Sequence, residues 1–429
     1  MNMPAVVTSP TKKLPLTVRF VQSIEEMSPA IPLIACVMWG MALVLLSFAF
    51  HLAIFQSGGK SLGWINEFNW SSTFCFFIPF SLFFSFSTFS AIPEVITTLA
   101  NGQMIRDADG NLADASELLT SWRGRAGKTA SLAAGVALIG LIVSWAQAWS
   151  LCFHPGQTGE PSWMRAVVLQ APNVGQPELD CFGFLALTSQ AAAIACFGYY
   201  ILIIFTFANW VHDYTRFGAQ TAIYPDLTED DTRFGFERFG PVIENILLAS
   251  LAYFFQFFMT RLYYIFVDDP KANSMLDIVA RSLGIGFVDD LMTIFRPSSS
   301  SQFDLFDTGG ALHFPNTMMA FGMLIVVASA TVVPMIIVKE AAARSRVRLQ
   351  EVLLKRPEVA TQWYGLDLSE AKKRTATMTV WPIRYAKPME LLLLIIMATA
   401  CFFFYKLFLV LAGYLVFRGL QLFAKRFGE

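Results

Sequence analysis

Apolar residues in this chain are gathered into seven long blocks separated by polar connectors: 30–55, 74–99, 130–152, 183–211, 242–267, 314–338 and 391 to about 416. Each holds about 20 residues or more, enough helix to cross roughly 30 Å of hydrocarbon at 1.5 Å per residue. Lipid offers the backbone no hydrogen-bond partner, so a block of this kind satisfies its own amides as a helix. The pattern predicts an all-α fold: a polytopic integral membrane bundle of about seven transmembrane helices. The first block is too long for the core of a cleavable signal peptide and is expected to stay in the protein. No internal repeat relates the blocks. Four regions follow: an N-terminal arm (1–28) with a short interfacial piece, LTVRFVQSI; the first six helices with their loops (29–338); a basic helical hairpin (339–388); and the final helix with an amphipathic tail (389–429).

The connectors give the orientation. With the N-terminus inside, the inner segments carry 21 lysines and arginines and the outer loops carry 5. Positively charged connectors are retained on the cytoplasmic side, so the N-terminus is placed in the cytoplasm, with a bacterial inner (plasma) membrane as the expected location. The tail, with Arg418, Lys425 and Arg426, is the exception, because seven crossings leave it outside.

The inner loop 339–388 is the most distinctive soluble piece. The sixth helix is expected to continue past Pro334 through KEAAARSRVRLQEVLLKR and to stop at Pro357. A second helix is expected to start at Asp367, with Glu370 three positions on. The pair displays Arg344, Arg346, Arg348, Lys355, Arg356, Lys372, Lys373 and Arg374. Attraction to anionic lipid head groups, about 1 kcal/mol per base near the surface, accounts for such an excess. The sharper reading is a platform for an acidic protein partner or for a second copy of the chain.

The outer loop 268–313 carries seven acids against three bases, and MLDIVARSLGIGFVDDLMTIF has apolar residues at helical spacing. It is expected to form an outer amphipathic lid. Asp289 and Asp290 lack the spacing of a calcium loop. Arg261 lies about six residues, roughly 9 Å, below the outer end of the fifth block, where its stem lifts the guanidinium to the interface. Together with His51, Gln147, Gln190 and Gln256 it is a candidate lining of an outer-facing cavity. Cys152 and Cys181 bracket an outer loop and are candidates for a disulfide worth about 3 kcal/mol.

Composition removes most other chemistry. Of 429 residues, 55% are hydrophobic and 15% charged, and no carboxylate lies near the middle of any block, where proton relays and ion-coupling sites need one. RAGKT, 125–129, has Trp122 where a phosphate-binding loop needs glycine. The four histidines sit near block ends without paired spacing. There is no HExxH, CxxC or Ser/His/Asp set, so no catalytic residue, metal site or cofactor is assigned. A net charge of -1 argues against nucleic acid. The expected role is a non-enzymatic membrane scaffold or signalling subunit, with a transporter or channel for a small solute as the alternative.

Overall fold

The structure, a computed structural model, describes residues 15–49, 55–57, 60–62, 73–107, 109–153, 181–229, 231–267, 313–380, 413, 414, 417 and 421. In chain order the elements are α1 (Leu16–Glu26), α2 (Ala30–Ala49), β1 (Phe55–Ser57), β2 (Lys60–Leu62), a π-helical turn (Thr73–Phe77) leading into α3 (Ile78–Asn101), and β3 (Ile105–Asp107). Then come α4 (Ala115–Phe153), α5 (Cys181–Asp213), β4 (Thr221–Ile223), a 3-10 turn (Phe236–Phe239), α6 (Gly240–Val267), α7 (His313–Lys355), α8 (Val359–Tyr364) and α9 (Leu368–Thr377).

Helix dominates, and four described stretches are long and apolar enough to cross a membrane: Ala30–Ala49, Ile78–Asn101, Ala115–Ile142 within α4 and Ala191–Asp213 within α5. The fifth and sixth apolar blocks are helical as α6 and α7. The seventh block lies outside the described residues except at a few helical positions, and so does the expected outer lid up to His313.

Three elements differ from expectation for local reasons. The first block is helical from Ala30 to Ala49, and its last residue, Phe55, opens a strand paired in register Phe55↔Leu62 to Ser57↔Lys60. The connector before the third block is continuous with it: α4 runs 39 residues without a break. No proline interrupts it, and Asp114 starts it by accepting from the amide of Ser116 at 3.0 Å, the second helical position rather than the third used in a capping box. The same connector also contributes β3, which pairs antiparallel with β4, Ile105↔Ile223 through Asp107↔Thr221. This two-stranded clip ties the segment after α3 to the segment after α5.

The closest packing is α4 on α5, followed by α3 on α6 and by α7 on α6 and α5. Large side chains fill the interior: Phe83, Phe84, Tyr200, Phe207, Trp210 and Tyr253 are fully buried. Phe197 meets Tyr253 at 4.7 Å between centroids, and Trp210 meets Tyr214 at 4.6 Å. Ile31, Ile34, Met38 and Leu45 on α2, with Leu132, Leu138, Ile139 and Ile142 on α4, turn outward and are exposed, as suits a hydrocarbon solvent.

Among the described residues, several buried hydroxyls inside the bundle are answered within their own helix. Ser81, Ser85 and Thr88 each donate to the carbonyl four residues earlier, at 2.6, 2.7 and 2.9 Å. Between helices, Tyr200 donates to the Ile246 carbonyl at 2.7 Å and meets Ser250 at 3.0 Å, while Ser85 lies 3.2 Å from the Tyr253 hydroxyl. Trp39 reaches across to Ser189 at 2.9 Å.

Candidate functional site

Charge concentrates at one end of the bundle, where α3 and α5 finish, α4 and α6 begin, and α7 runs on into α8 and α9. A helix that stops leaves its last carbonyls without intrahelical donors, and its C-terminus carries partial negative charge. Arginines from distant parts of the chain answer three such ends. Arg238 adds a second donor to the Thr98 carbonyl in the last turn of α3, at 3.1 Å beside the Gly102 amide at 2.9 Å. Arg348 donates to the carbonyls of Thr215, at 3.2 Å, and Arg216, in the turn that closes α5. Arg346 donates to the carbonyls of Ala376 and Met378 at the end of α9, at 2.8 and 3.3 Å.

Gly102 makes the first of these contacts possible. A Cβ there would stand 1.6 Å from Nη1 of Arg238. The guanidinium therefore occupies the space that a side chain would fill. From that position its other nitrogen reaches Glu229 at 2.6 Å and Asp226 at 3.4 Å. The acids around it are matched by nearby arginines: Asp231 pairs with Arg233 at 3.3 Å, and Arg233 also reaches Glu237 at 2.5 Å. Asp230 lies outside the described residues.

The loop 224–239 and the segment 357–380 are stapled together. Tyr364 donates its hydroxyl to the Pro225 carbonyl at 2.9 Å, Arg374 reaches the Leu227 carbonyl at 2.9 Å, and the Thr379 amide reaches the Thr232 carbonyl at 2.8 Å. Asp367 starts α9 by accepting from the Glu370 amide at 2.7 Å. At the centre is an aromatic step. Arg106 of β3 lies 4.4 Å over Trp363, the Trp363 ring stands edge-on to Tyr224 at 5.1 Å, and Arg348 approaches the same Tyr224 ring at 5.9 Å. Burial pulls the pKa of both arginines down and pushes that of Tyr224 up, the latter opposed by Arg348, Arg106 and Arg356.

A second polar contact fixes α1. Both oxygens of Glu25 are used: one accepts from Trp122 Nε1 at 2.8 Å, the other pairs with Arg123 at 2.7 Å. The Glu25 side chain is only 4% exposed, and burial outweighs its partners and raises its pKa. The segment expected as an arm therefore carries a helix held to the start of α4.

The eight bases singled out on 339–388 divide into two sets. Arg344 donates to Nδ1 of His212 at 3.2 Å and pairs with Glu340 at 2.8 Å; Arg374 pairs with Glu370 at 3.0 Å. With Arg346 and Arg348 these belong to the internal framework. Lys355, Arg356, Lys372 and Lys373 are exposed. Arg106 and Trp363 carry no local signal in the sequence, where each is a lone residue in a connector; Arg238 belongs to the alternation of Phe234, Phe236 and Phe239 with Arg233 and Glu237, which marks an interfacial segment but not its contact with α3.

His51, of the proposed outer cavity, lies outside the described residues. Gln147 and Cys152 on α4, Cys181 and Gln190 on α5, and Gln256 and Arg261 on α6 have helical backbone, but their side chains lie outside the described residues. Cys36, Cys75 and Cys196 are free thiols. Among the described residues no group of three or more His, Cys, Asp or Glu is placed to hold a metal ion. No family model matches the chain, and neither does any curated protein or solved structure.

Proposed function

We propose that the chain is a non-enzymatic multi-pass membrane subunit, crossing seven times with its N-terminus in the cytoplasm, that engages an acidic protein partner through its inner end. The observation that carries this reading is the division of the basic residues. Arg344 and Arg348 tie α7 to the end of α5, Arg346 ties α7 to the end of α9, and Arg374 ties α9 to the loop 224–239, while Lys355, Arg356, Lys372 and Lys373 stay exposed. A surface whose framework is fixed loses little entropy when it docks, which favours specific over diffuse attraction. Anionic head groups compete for the same four bases, and the scaffold reading requires that a protein win.

A photoreactive side chain at position 369 or 377 of the full-length protein, activated in native membranes, tests this. Discrete protein adducts are expected, and Lys372→Glu with Lys373→Glu should abolish them. Adducts with lipid alone, or protein adducts indifferent to the charge reversal, would overturn the reading.

A transport role draws on one observation, the buried hydroxyl network of Ser85, Tyr200, Ser250 and Tyr253. These groups already bond to one another and to a carbonyl, so interhelical attachment describes them with fewer assumptions.

A further inference from the structure

α1 is packed on one side. Val21 and Ile24 are buried in the core of the bundle, and Glu25 closes the contact on Trp122 and Arg123. The other side carries Leu16, Arg19, Phe20, Ser23 and Glu26, which recur at three- and four-residue spacing and are exposed. This is not the composition of a solvated face, because Leu16 is 84% exposed and Phe20 53%. Polarity is also graded along the helix. The two large apolar groups and the base stand toward its N-terminus, while the other end carries Ser23 and Glu26, the latter accepting from Gln22 at 2.8 Å.

The gradient has a fixed register against α4. At the polar end of α1, Glu25 meets Trp122 and Arg123, well before Ala130, where the third apolar block begins. At the apolar end, Thr17 and Val18 lie on Gly127, where a Cβ would stand 3.3 Å from the Thr17 hydroxyl and 3.2 Å from a Val18 methyl. α1 therefore runs antiparallel to the start of α4 and brings Leu16 and Phe20 to the level at which α4 turns apolar. Leu132, just beyond that level, is exposed as well. In the seven-crossing reading this is the boundary between head groups and hydrocarbon.

Two exposed bases adjoin the same contact: Arg19 follows Val18, and Lys128 follows Gly127. Arg123 and Arg125, on the same stretch of α4, are instead paired to Glu25 at 2.7 Å and Asp213 at 2.5 Å. Apolar groups one helical turn apart, with bases beside them at the depth where hydrocarbon begins, match an anionic lipid surface. We propose that α1 and the adjoining start of α4 bind that surface, with Leu16 and Phe20 entering the acyl boundary and Arg19 and Lys128 holding head-group phosphates. The site rests on the bilayer reading above but not on the partner surface of Lys355, Arg356, Lys372 and Lys373.

The test uses the full-length protein in phosphatidylcholine nanodiscs with a small, equal fraction of spin-labelled lipid, either phosphatidylcholine or phosphatidylglycerol, the nitroxide high on the acyl chain. A fluorescent residue stands at position 16, 26 or 38; Met38, exposed on α2, is the reference for hydrocarbon. Position 38 should be quenched equally by both lipids, and position 26 weakly by either. Position 16 should be quenched by both, with phosphatidylglycerol favoured about fivefold, the effect of one base at the leaflet. Arg19→Gln with Lys128→Gln should erase that preference and leave quenching by phosphatidylcholine, whereas Arg19→Lys with Lys128→Arg should keep the preference. Lys372→Glu with Lys373→Glu should change nothing at position 16, which separates this site from the partner surface. Absence of quenching at position 38 would sink the bilayer reading and this proposal with it. Quenching at 38 but not at 16, equal quenching at 16 by the two lipids, or a preference that survives the double glutamine variant would overturn this proposal alone.

Discussion

The middle of the bundle and its charged end, the inner end of the reading proposed above, treat the same problem, polar groups away from water, by different means. In the middle the helices are continuous, so backbone amides are satisfied within each one, and side-chain hydroxyls fold back on carbonyls of their own helix, as Ser81, Ser85 and Thr88 do. At the inner end the helices stop, and arginines from elsewhere in the chain add donors to their last carbonyls. Arg238 reaches back 140 residues to Thr98, and Arg348 reaches 133 to Thr215. The middle therefore combines local back-bonds with a few neutral hydrogen bonds between helices, while the inner end relies on long-range charged donors that make each loop depend on the others. The basic residues from which an orientation is proposed are, in good part, the same ones that bond the ends of the helices.

Substitutions at matched chemistry should expose this contrast. Gly102→Ala is expected to have the largest effect, about 3 kcal/mol, because the new methyl evicts Arg238 from the Thr98 carbonyl and leaves Asp226 and Glu229 without that partner. Gly198→Ala in α5 is its counterpart in the middle. There the Cβ meets only a methyl of Val136 at 2.9 Å, and the gain in helix propensity offsets much of that crowding. Thermal unfolding in nanodiscs should show a large drop for the first and almost none for the second; equal drops would erase the distinction.

Arg348→Met comes next, at about 2 to 3 kcal/mol. It strips the donor from two carbonyls at the end of α5 while keeping the aliphatic stem. Protease accessibility around residue 216 should rise in the same variant. Ser85→Ala is smaller, about 0.6 kcal/mol and at most near 2, since it removes one back-bond and one contact to Tyr253. A Ser85→Ala loss larger than that of Arg348→Met would mean that the buried hydroxyl network is more than attachment between helices.

The two regions were also unequally legible in the sequence. Helix positions in the middle could be read from apolar blocks, because in lipid one physical requirement, a closed backbone hydrogen-bond ladder, overrides local preference. The start of α9 was legible too, because Asp367 and Glu370 are close neighbours. The rest of the inner end depends on contacts between segments far apart in sequence. Nothing near Trp363 signals Arg106, and nothing near Thr98 signals Arg238. β3 has three residues and exists through its pairing with β4, which no periodicity could announce. Gly58 and Gly59, between β1 and β2, are a two-residue hairpin signal that the sequence does carry.

The smallest expected effect concerns Glu25, the carboxylate that brings the two strategies together at the inner end. It is buried like a side chain of the middle yet ion-paired across 98 residues to Arg123. Burial raises its pKa more than Arg123 and Trp122 lower it, so the docked state holds the proton more tightly than a detached α1 does. The sign follows from that. Docking is strongest near the ordinary carboxyl value of 4.5 and below, weakens as pH rises through the raised pKa, and is flat above it. A fluorophore on α1 quenched from α4 should report more detachment at neutral pH than at mildly acidic pH, and Glu25→Gln should flatten the profile at the acidic level. An opposite slope would mean that the pairing with Arg123 outweighs desolvation, and that α1 is held by charge as the inner loops are.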